Sequence, residues 1–213
     1  MRRLLTLIPA VLTCAVLSTG AEAAVTFTSH QFDTLPPGPG EVLINNFDGI
    51  ASPDFTFSGG TIRIGKTVNQ AQQPFGDLTH YEAVQFKNPF IISGPELSSL
   101  SLYIGSLDTY NSITFLGAGG FSQTINGTAM GAPANGNITD PLTNRQFFFK
   151  FAAVDRVDEI IFTSSQPAFE FDNIYARVAG VPEPAVWTML IMGFGTIGFM
   201  LRRQRDTVAF ASL

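Results

Sequence analysis

The sequence predicts an all-β domain, an antiparallel β-sandwich of jelly-roll type, flanked by an N-terminal signal peptide and a C-terminal transmembrane helix. Three observations lead there. Between residues 24 and 180, short runs alternate apolar and polar residues with the period of a strand and are separated by Gly, Pro, Asn and Ser. Helical periodicity is almost absent from the same stretch. Long apolar runs occur only at the two ends, and these supply much of the positive mean hydropathy of +0.22. Many short strands with polar turns and no helices can bury an apolar face only by packing sheet on sheet.

In chain order the predicted strands are 25–29, 41–46, 54–58, 61–64, 83–87, 98–104, 112–116, 121–125, 146–151, 157–163 and 168–178. Gly59-Gly60 is read as a tight hairpin between the third and fourth. Pro36-Pro37-Gly38-Pro39-Gly40 forces an extended or turning loop. Residues 127–144, rich in Asn, Pro and Gly, are read as a long loop. In the last strand, alternation puts Phe169, Phe171 and Asn173 on one face and Glu170, Asp172 and Ile174 on the other. The many Phe residues are expected in the core. No internal repeat is visible.

The ends read as targeting segments. Arg2 and Arg3 precede an apolar region from Leu4 to Leu17, and Ala21-Glu22-Ala23 fits the small-x-small rule of signal peptidase, which predicts cleavage after Ala23. Cys14, the single cysteine, lies in the removed segment, so the exported domain has neither disulfide nor thiolate chemistry. Residues 24–180 form one domain, with 7 Lys and Arg against 14 Asp and Glu. That acidic balance disfavours nucleic acid and anionic membrane surfaces, and is compatible with divalent cations or neutral sugars.

The C-terminal segment, 181–205, has three parts in fixed order. Pro182, Glu183 and Pro184 come first, then an uncharged run at 185–201, then Arg202, Arg203 and Arg205. A helix over that run spans roughly 25 Å, the short end of what crosses a bilayer. The prolines oppose helix extension toward the domain. Trp187 suits the headgroup boundary and the arginines the cytoplasmic flank, leaving 206–213 as a short cytoplasmic tail. This order resembles the PEP-CTERM sorting signal in the variant with a tryptophan three residues after the second proline, although Thr188 stands where that variant usually has Ala. The resemblance implies an exported protein of a Gram-negative bacterium that makes extracellular polysaccharide. It also implies an inner-membrane-anchored precursor, processing by an exosortase, and release to the cell surface or extracellular matrix. The same tail is sometimes labelled an ice-binding protein C-terminal domain, a label that says nothing about ice. Two passages, 104–115 and 169–174, look like stretches of exosortase-dependent surface proteins with a sandwich domain, itself similar in outline to carbohydrate-binding jelly rolls.

Motifs for catalysis are wanting, and no enzyme is expected. His30 and His80 sit in loop-like settings without an acid–nucleophile pattern, and neither G-x-S-x-G nor H-E-x-x-H occurs. Glu170 and Asp172 share a strand face, but Tyr175 stands where some jelly-roll glycosidases continue Glu-x-Asp-x-x-Glu, so the second carboxyl of a glycosidase pair is missing. Gly193, Gly195 and Gly198 spell G-x-G-x-x-G inside the apolar run, where small residues serve helix contact rather than a dinucleotide. Asp108 with Asn111, together with Asp172, are the candidate ligands of a structural Ca²⁺, and Asn46 with Asp48 is a further pair. Oxygen donors suit that ion, although Asp and Asn equally favour turns. The two N-x-T sequons, at Asn126 and Asn137, are coincidental in a bacterial protein. Sugar binding needs exposed aromatics; the only tryptophan is Trp187, and Tyr110 is the best candidate platform in the domain. The expectation is therefore a non-enzymatic surface protein, with a carbohydrate-binding module acting on extracellular polysaccharide as the alternative.

Overall fold

The computed structural model describes residues 25–133 and 139–180 and, in the C-terminal segment, 189, 191–194 and 196. The signal peptide with Ala21 and Ala23, the sorting residues Pro182, Glu183, Pro184, Trp187, Arg202, Arg203 and Arg205, and the tail 206–213 lie outside the described residues. Twelve strands form two antiparallel sheets. They are β1 Thr26–Gln31, β2 Val42–Asn45, β3 Thr56–Gly59, β4 Ile62–Arg63, β5 Tyr81–Val84 and β6 Phe90–Ser93. The remainder are β7 Leu97–Gly105, β8 Asn111–Gly117, β9 Phe121–Asn126, β10 Arg145–Lys150, β11 Val157–Ser164 and β12 Phe169–Val178. The larger sheet runs β1-β10-β7-β12-β5-β4, with β2 also on β12; the smaller runs β3-β6-β11-β8-β9. From β5 onward the chain passes repeatedly between the two sheets.

The inner faces bury the apolar half of each alternating strand, and phenylalanine fills the space between them. Phe115, Phe147, Phe149, Phe162, Phe169 and Phe171 are fully buried. Phe162 and Phe171 stack across the sheets with centroids 4.4 Å apart, and Phe90 meets Phe171 edge-on at 5.5 Å. Burying each such ring is worth about 1.5–3 kcal/mol, with further gain from ring geometry.

Four expectations need correction. Residues 90–93, FIIS, form β6, a strand not anticipated because it is a four-residue run hemmed by Pro89 and Pro95. Strand 83–87 is in fact β5 at 81–84. The chain turns at Gln85–Asn88, where Lys87 has φ of 63° and Phe86 is exposed. Gly59-Gly60 is not a hairpin: β3 pairs β6 in the smaller sheet and β4 pairs β5 in the larger, so the glycines carry the chain between sheets. Both have positive φ, and a Cβ on Gly59 would lie 1.8 Å from the Pro89 carbonyl oxygen. Finally, Ile174 faces the core with Phe169 and Phe171. Asn173 has φ of 52°, and the β12–β7 register shifts between Asp172 and Tyr175. This bulge adds a residue and rephases the strand, so simple alternation fails beyond it.

Two irregular segments cover the outer face of the larger sheet. The first strap, residues 32–41, is tied down by Gln146 on β10, whose side chain accepts from Leu35 N (3.1 Å) and donates to Leu35 O (3.0 Å). Glu41 accepts from Ser101 of β7 and from Gly38 N, which fixes the Pro-Gly loop. The second strap, residues 64–80, is held by Gln72 N donating to Glu170 (2.8 Å) and by Tyr103 of β7 donating to Phe75 O (2.7 Å). Pro74 packs directly on Gly105, where a Cβ would come within 2.5 Å of it. The straps meet where Phe32 packs on Phe75, ring centroids 5.2 Å apart.

Candidate functional site

The meeting of the straps leaves a cleft of about 540 Å³ on the outer face of the sheet. Its floor is Tyr103 of β7 and Asn173 of β12; one wall is Phe32, Asp33 and Thr34, the other Phe75 to Thr79. Phe75 and Leu78 are exposed, while Tyr103 is buried to its hydroxyl. Two of the lining residues, Phe32 and Asn173, hold left-handed backbone, with φ of 58° and 52°. For a ring as large as Phe this is uncommon, and Phe32 is kept there by its N–H bond to Asn144 O (2.8 Å) and its bridge to Arg145.

Acidic groups collect around this cleft. Asp77 Oδ1 accepts from Thr79 N (2.8 Å) and Thr79 Oγ1 (2.7 Å), an Asx turn that shapes the wall. Beneath it, Asp172 is fully buried, and its Oδ2 accepts from Asn173 Nδ2 (3.0 Å). Burial pushes the Asp172 carboxyl up to about 8, and the charges of Asp77, Asp48 and Asp33 push the same way against the Asn173 N–H. Asp33 is exposed as a residue, yet its carboxyl is raised by partial burial and by Asp77. Asp77 Oδ2 and Asp172 Oδ1 are buried and meet no hydrogen-bond donor among the described residues. Asp48 differs, because His80 N donates to it (3.0 Å) and His80 Nδ1 lies 2.7 Å away, which holds its carboxyl below the usual range.

The remaining candidates serve the fold. Asn111 is fully buried; its Oδ1 accepts from Asp108 N (2.7 Å), and its Nδ2 donates to Ser164 Oγ (3.1 Å) and Ala168 O (3.2 Å). Tyr110 is half-buried, and its hydroxyl donates to Asp108 Oδ2 (2.6 Å), so its ring is fixed at the edge of a smaller cleft of about 200 Å³ rather than displayed as an open platform. Asp108 and Asn111 are thus engaged with each other and with protein partners, while Asp172 has different neighbours. Among the described residues no group of three or more His, Cys, Asp or Glu is arranged to hold a metal ion. Asn46 Oδ1 accepts from Asp48 N and Ile50 N, an Asx turn. His30 lies on β1 rather than in a loop, exposed, with Thr34 Oγ1 3.1 Å from its Nδ1.

Glu170 and Asp172 do share the outer face, as alternation predicts, but the second strap seals Glu170. Its Oε1 accepts from Gln72 N and its Oε2 from Ser106 Oγ (2.6 Å), and burial raises its carboxyl to about 7. The residues of the main cleft, Phe32, Asp33, Phe75 and Asp77, were not singled out in the sequence. Pro74-Phe75-Gly76-Asp77, a turn that displays an aromatic residue, is the one local signal for them.

In the C-terminal segment the described residues are helical and their apolar side chains, Met189, Ile191, Met192 and Phe194, are exposed. Thr196 Oγ1 donates back to Met192 O and Gly193 O, both at 2.9 Å, so its hydroxyl is satisfied within the helix. Among the described residues no helix is long and apolar enough to cross a membrane.

A β-sandwich followed by an apolar, arginine-flanked segment defines a domain joined to a C-terminal sorting element. Residues 180–204 match the PEP-CTERM protein-sorting motif, so the chain carries that motif at the position its Pro-Glu-Pro run indicates. No curated protein matches the chain. Among solved structures, the enzymatically active domain of bacteriophage CBA120 tailspike protein 4 is similar over 67% of this chain and 21% of its own, at 14% identity and a TM-score of 0.33. This chain therefore spans about a fifth of that protein. A family 11 carbohydrate-binding module from Clostridium thermocellum, in complex with a β-1,3-1,4-mixed-linked tetrasaccharide, is similar over 66% of this chain and 96% of its own, at 14% identity and a TM-score of 0.21. The same family's module from the cellulosomal cellulase Lic26A-Cel5E gives 68%, 97%, 11% and 0.23. At such TM-scores these likenesses carry no functional argument.

Proposed function

We propose that this chain is an exported, non-enzymatic protein of the cell surface or extracellular matrix, delivered through its C-terminal signal and processed by an exosortase. The observation that carries the reading is the motif match at 180–204. In this reading, residues 1–23 direct export, 185–201 hold the precursor in the inner membrane, and the arginines keep 206–213 on the cytoplasmic side. The exposed apolar side chains of Met189, Ile191, Met192 and Phe194 and the internally satisfied Thr196 hydroxyl support the anchor, since lipid offers no hydrogen-bond partner. The sandwich, jelly-roll-like in our reading, is the exported cargo.

Pro182 and Pro184 hold the chain extended, the form a protease cleft binds, and Glu183 offers a charge that a basic group on the enzyme can meet. Glu183→Gln and Pro184→Ala should each leave signal-peptide removal intact and slow C-terminal processing. Immunoblots of membrane and medium fractions should then show a membrane-bound precursor accumulating, as in a host lacking the exosortase. Maturation of both variants at the normal rate would reduce the Pro-Glu-Pro run to a linker. A second reading, binding of extracellular polysaccharide, is favoured by one observation: the open cleft between the straps sets the paired rings of Phe32 and Phe75 beside the polar side chains of Asp33, Asp77 and Asn173.

A further inference from the structure

The cleft between the straps is unusual in its charge. Asp33 and Asp77 line it, and Asp172 lies beneath; no Lys or Arg is among its lining residues. Burial first, and the charge of neighbouring carboxylates after it, hold both Asp33 and Asp172 above the usual carboxylate range. Natural proteins leave few buried polar atoms unpaired, yet here two carboxylate oxygens, Asp77 Oδ2 and Asp172 Oδ1, face no donor among the described residues. Asp77 is fixed by the Thr79 turn, so its second oxygen cannot swing away without breaking that turn. Both oxygens are shut off from solvent, so an occupant of the cleft meets the charge of the carboxylates rather than these atoms; with Asp33 and Asp77 in its lining and no Lys or Arg, the cleft favours a group of positive charge.

The walls narrow the choice. Phe32 and Phe75 pack into one tilted aromatic surface beside those carboxylates. Such a surface accepts the C–H face of a ring and also attracts a cation. A metal ion would leave the aromatics unused, and the described residues offer no group of three or more acidic, His or Cys ligands. A lone lysine side chain is a thin stem that would leave most of the roughly 540 Å³ unfilled. A uronic or sulfated sugar would add negative charge to a site that already has an excess.

We propose that this cleft binds an amino-sugar unit of a polysaccharide, its protonated amine set against Asp33 and Asp77 and its ring against Phe32 and Phe75. The inference rests on the polysaccharide reading above and narrows it to a glycan bearing free amines. The charge pairing supplies selectivity, because acetylation of the amine removes the cation while keeping the ring.

The test is titration calorimetry of the full-length chain in detergent with three tetrasaccharides: glucosamine, N-acetylglucosamine and glucose. Glucosamine tetramer should bind, at least about tenfold more tightly than either of the others, the factor that about 1.4 kcal/mol produces. Asp77→Asn keeps an oxygen for Thr79 and should weaken glucosamine binding about tenfold; Asp33→Asn, at an exposed residue, should do the same and decides the matter if the first variant does not fold. Phe75→Ala should weaken all three. Equal binding of all three sugars, unaffected by the Asn variants, would overturn the amine inference and leave the polysaccharide reading standing. No binding by any of them overturns both, and binding of a lysine-rich peptide in their place assigns the cleft to a protein partner instead.

Discussion

Glu170 offers a stringent test of how the second strap is held. Its carboxyl lies on the outer face of β12, 2% exposed, and accepts from Gln72 N and Ser106 Oγ. Burial raises it from 4.5 to about 7, outweighing both hydrogen bonds. The folded chain therefore holds this proton more tightly than the unfolded chain. Stability from this group is fully present below about 4.5 and is lost as pH rises through about 7. Raising a carboxyl by that much corresponds to a loss on the order of 3 kcal/mol. Glu170→Gln removes the titration while keeping the contacts: the amide oxygen still accepts from Gln72 N, and the amide N–H donates to Ser106 Oγ, whose hydroxyl rotates. Urea unfolding of the wild type and the variant, followed by circular dichroism at pH 5 and pH 8, measures the effect. The variant should gain on the wild type by on the order of 3 kcal/mol between those two conditions. If the gap between the proteins is the same at both, Glu170 is not held protonated by burial and the reasoning fails. Ser106→Ala, which removes a bond favouring the charged form, should move the midpoint of the loss upward.

Asp172→Asn should behave alike over a wider window. Stability from the wild-type carboxyl is present below about 3.8 and is lost as pH rises through about 8, so the variant's relative melting temperature should climb across that range. Gly59→Ala drives a Cβ into the Pro89 carbonyl at a residue with φ of 77° and should destabilise by more than the roughly 1 kcal/mol of an unstrained glycine exchange, read by denaturant midpoint. Phe171→Ala empties the space beside Phe162 and Phe90 and should cost about 3–5 kcal/mol, with a matching fall in melting temperature.

The sequence by itself determined what depends on local pattern. Alternation marks most strands because a half-buried strand must repeat every second residue, and phenylalanine at those positions became the core. The sorting motif at 180–204 is legible for a similar reason: it is a linear segment, so the Pro-Glu-Pro run and the apolar stretch after it identify themselves without a fold. Only the tertiary structure decided what depends on which segments meet. That Gly59-Gly60 passes between sheets rather than turning back follows from β6 reaching β3, a pairing no local signal contains. That Asn173 rephases β12, and so turns Ile174 inward, follows from its register against β7. Alternation puts Glu170 and Asp172 on one strand face but does not say what covers it; they are buried because a strap about a hundred residues earlier lies over them. The cleft has the same origin: Phe32 and Phe75 are ordinary loop residues until two distant straps meet above Tyr103, and only their meeting gives the acidic groups beneath a common wall.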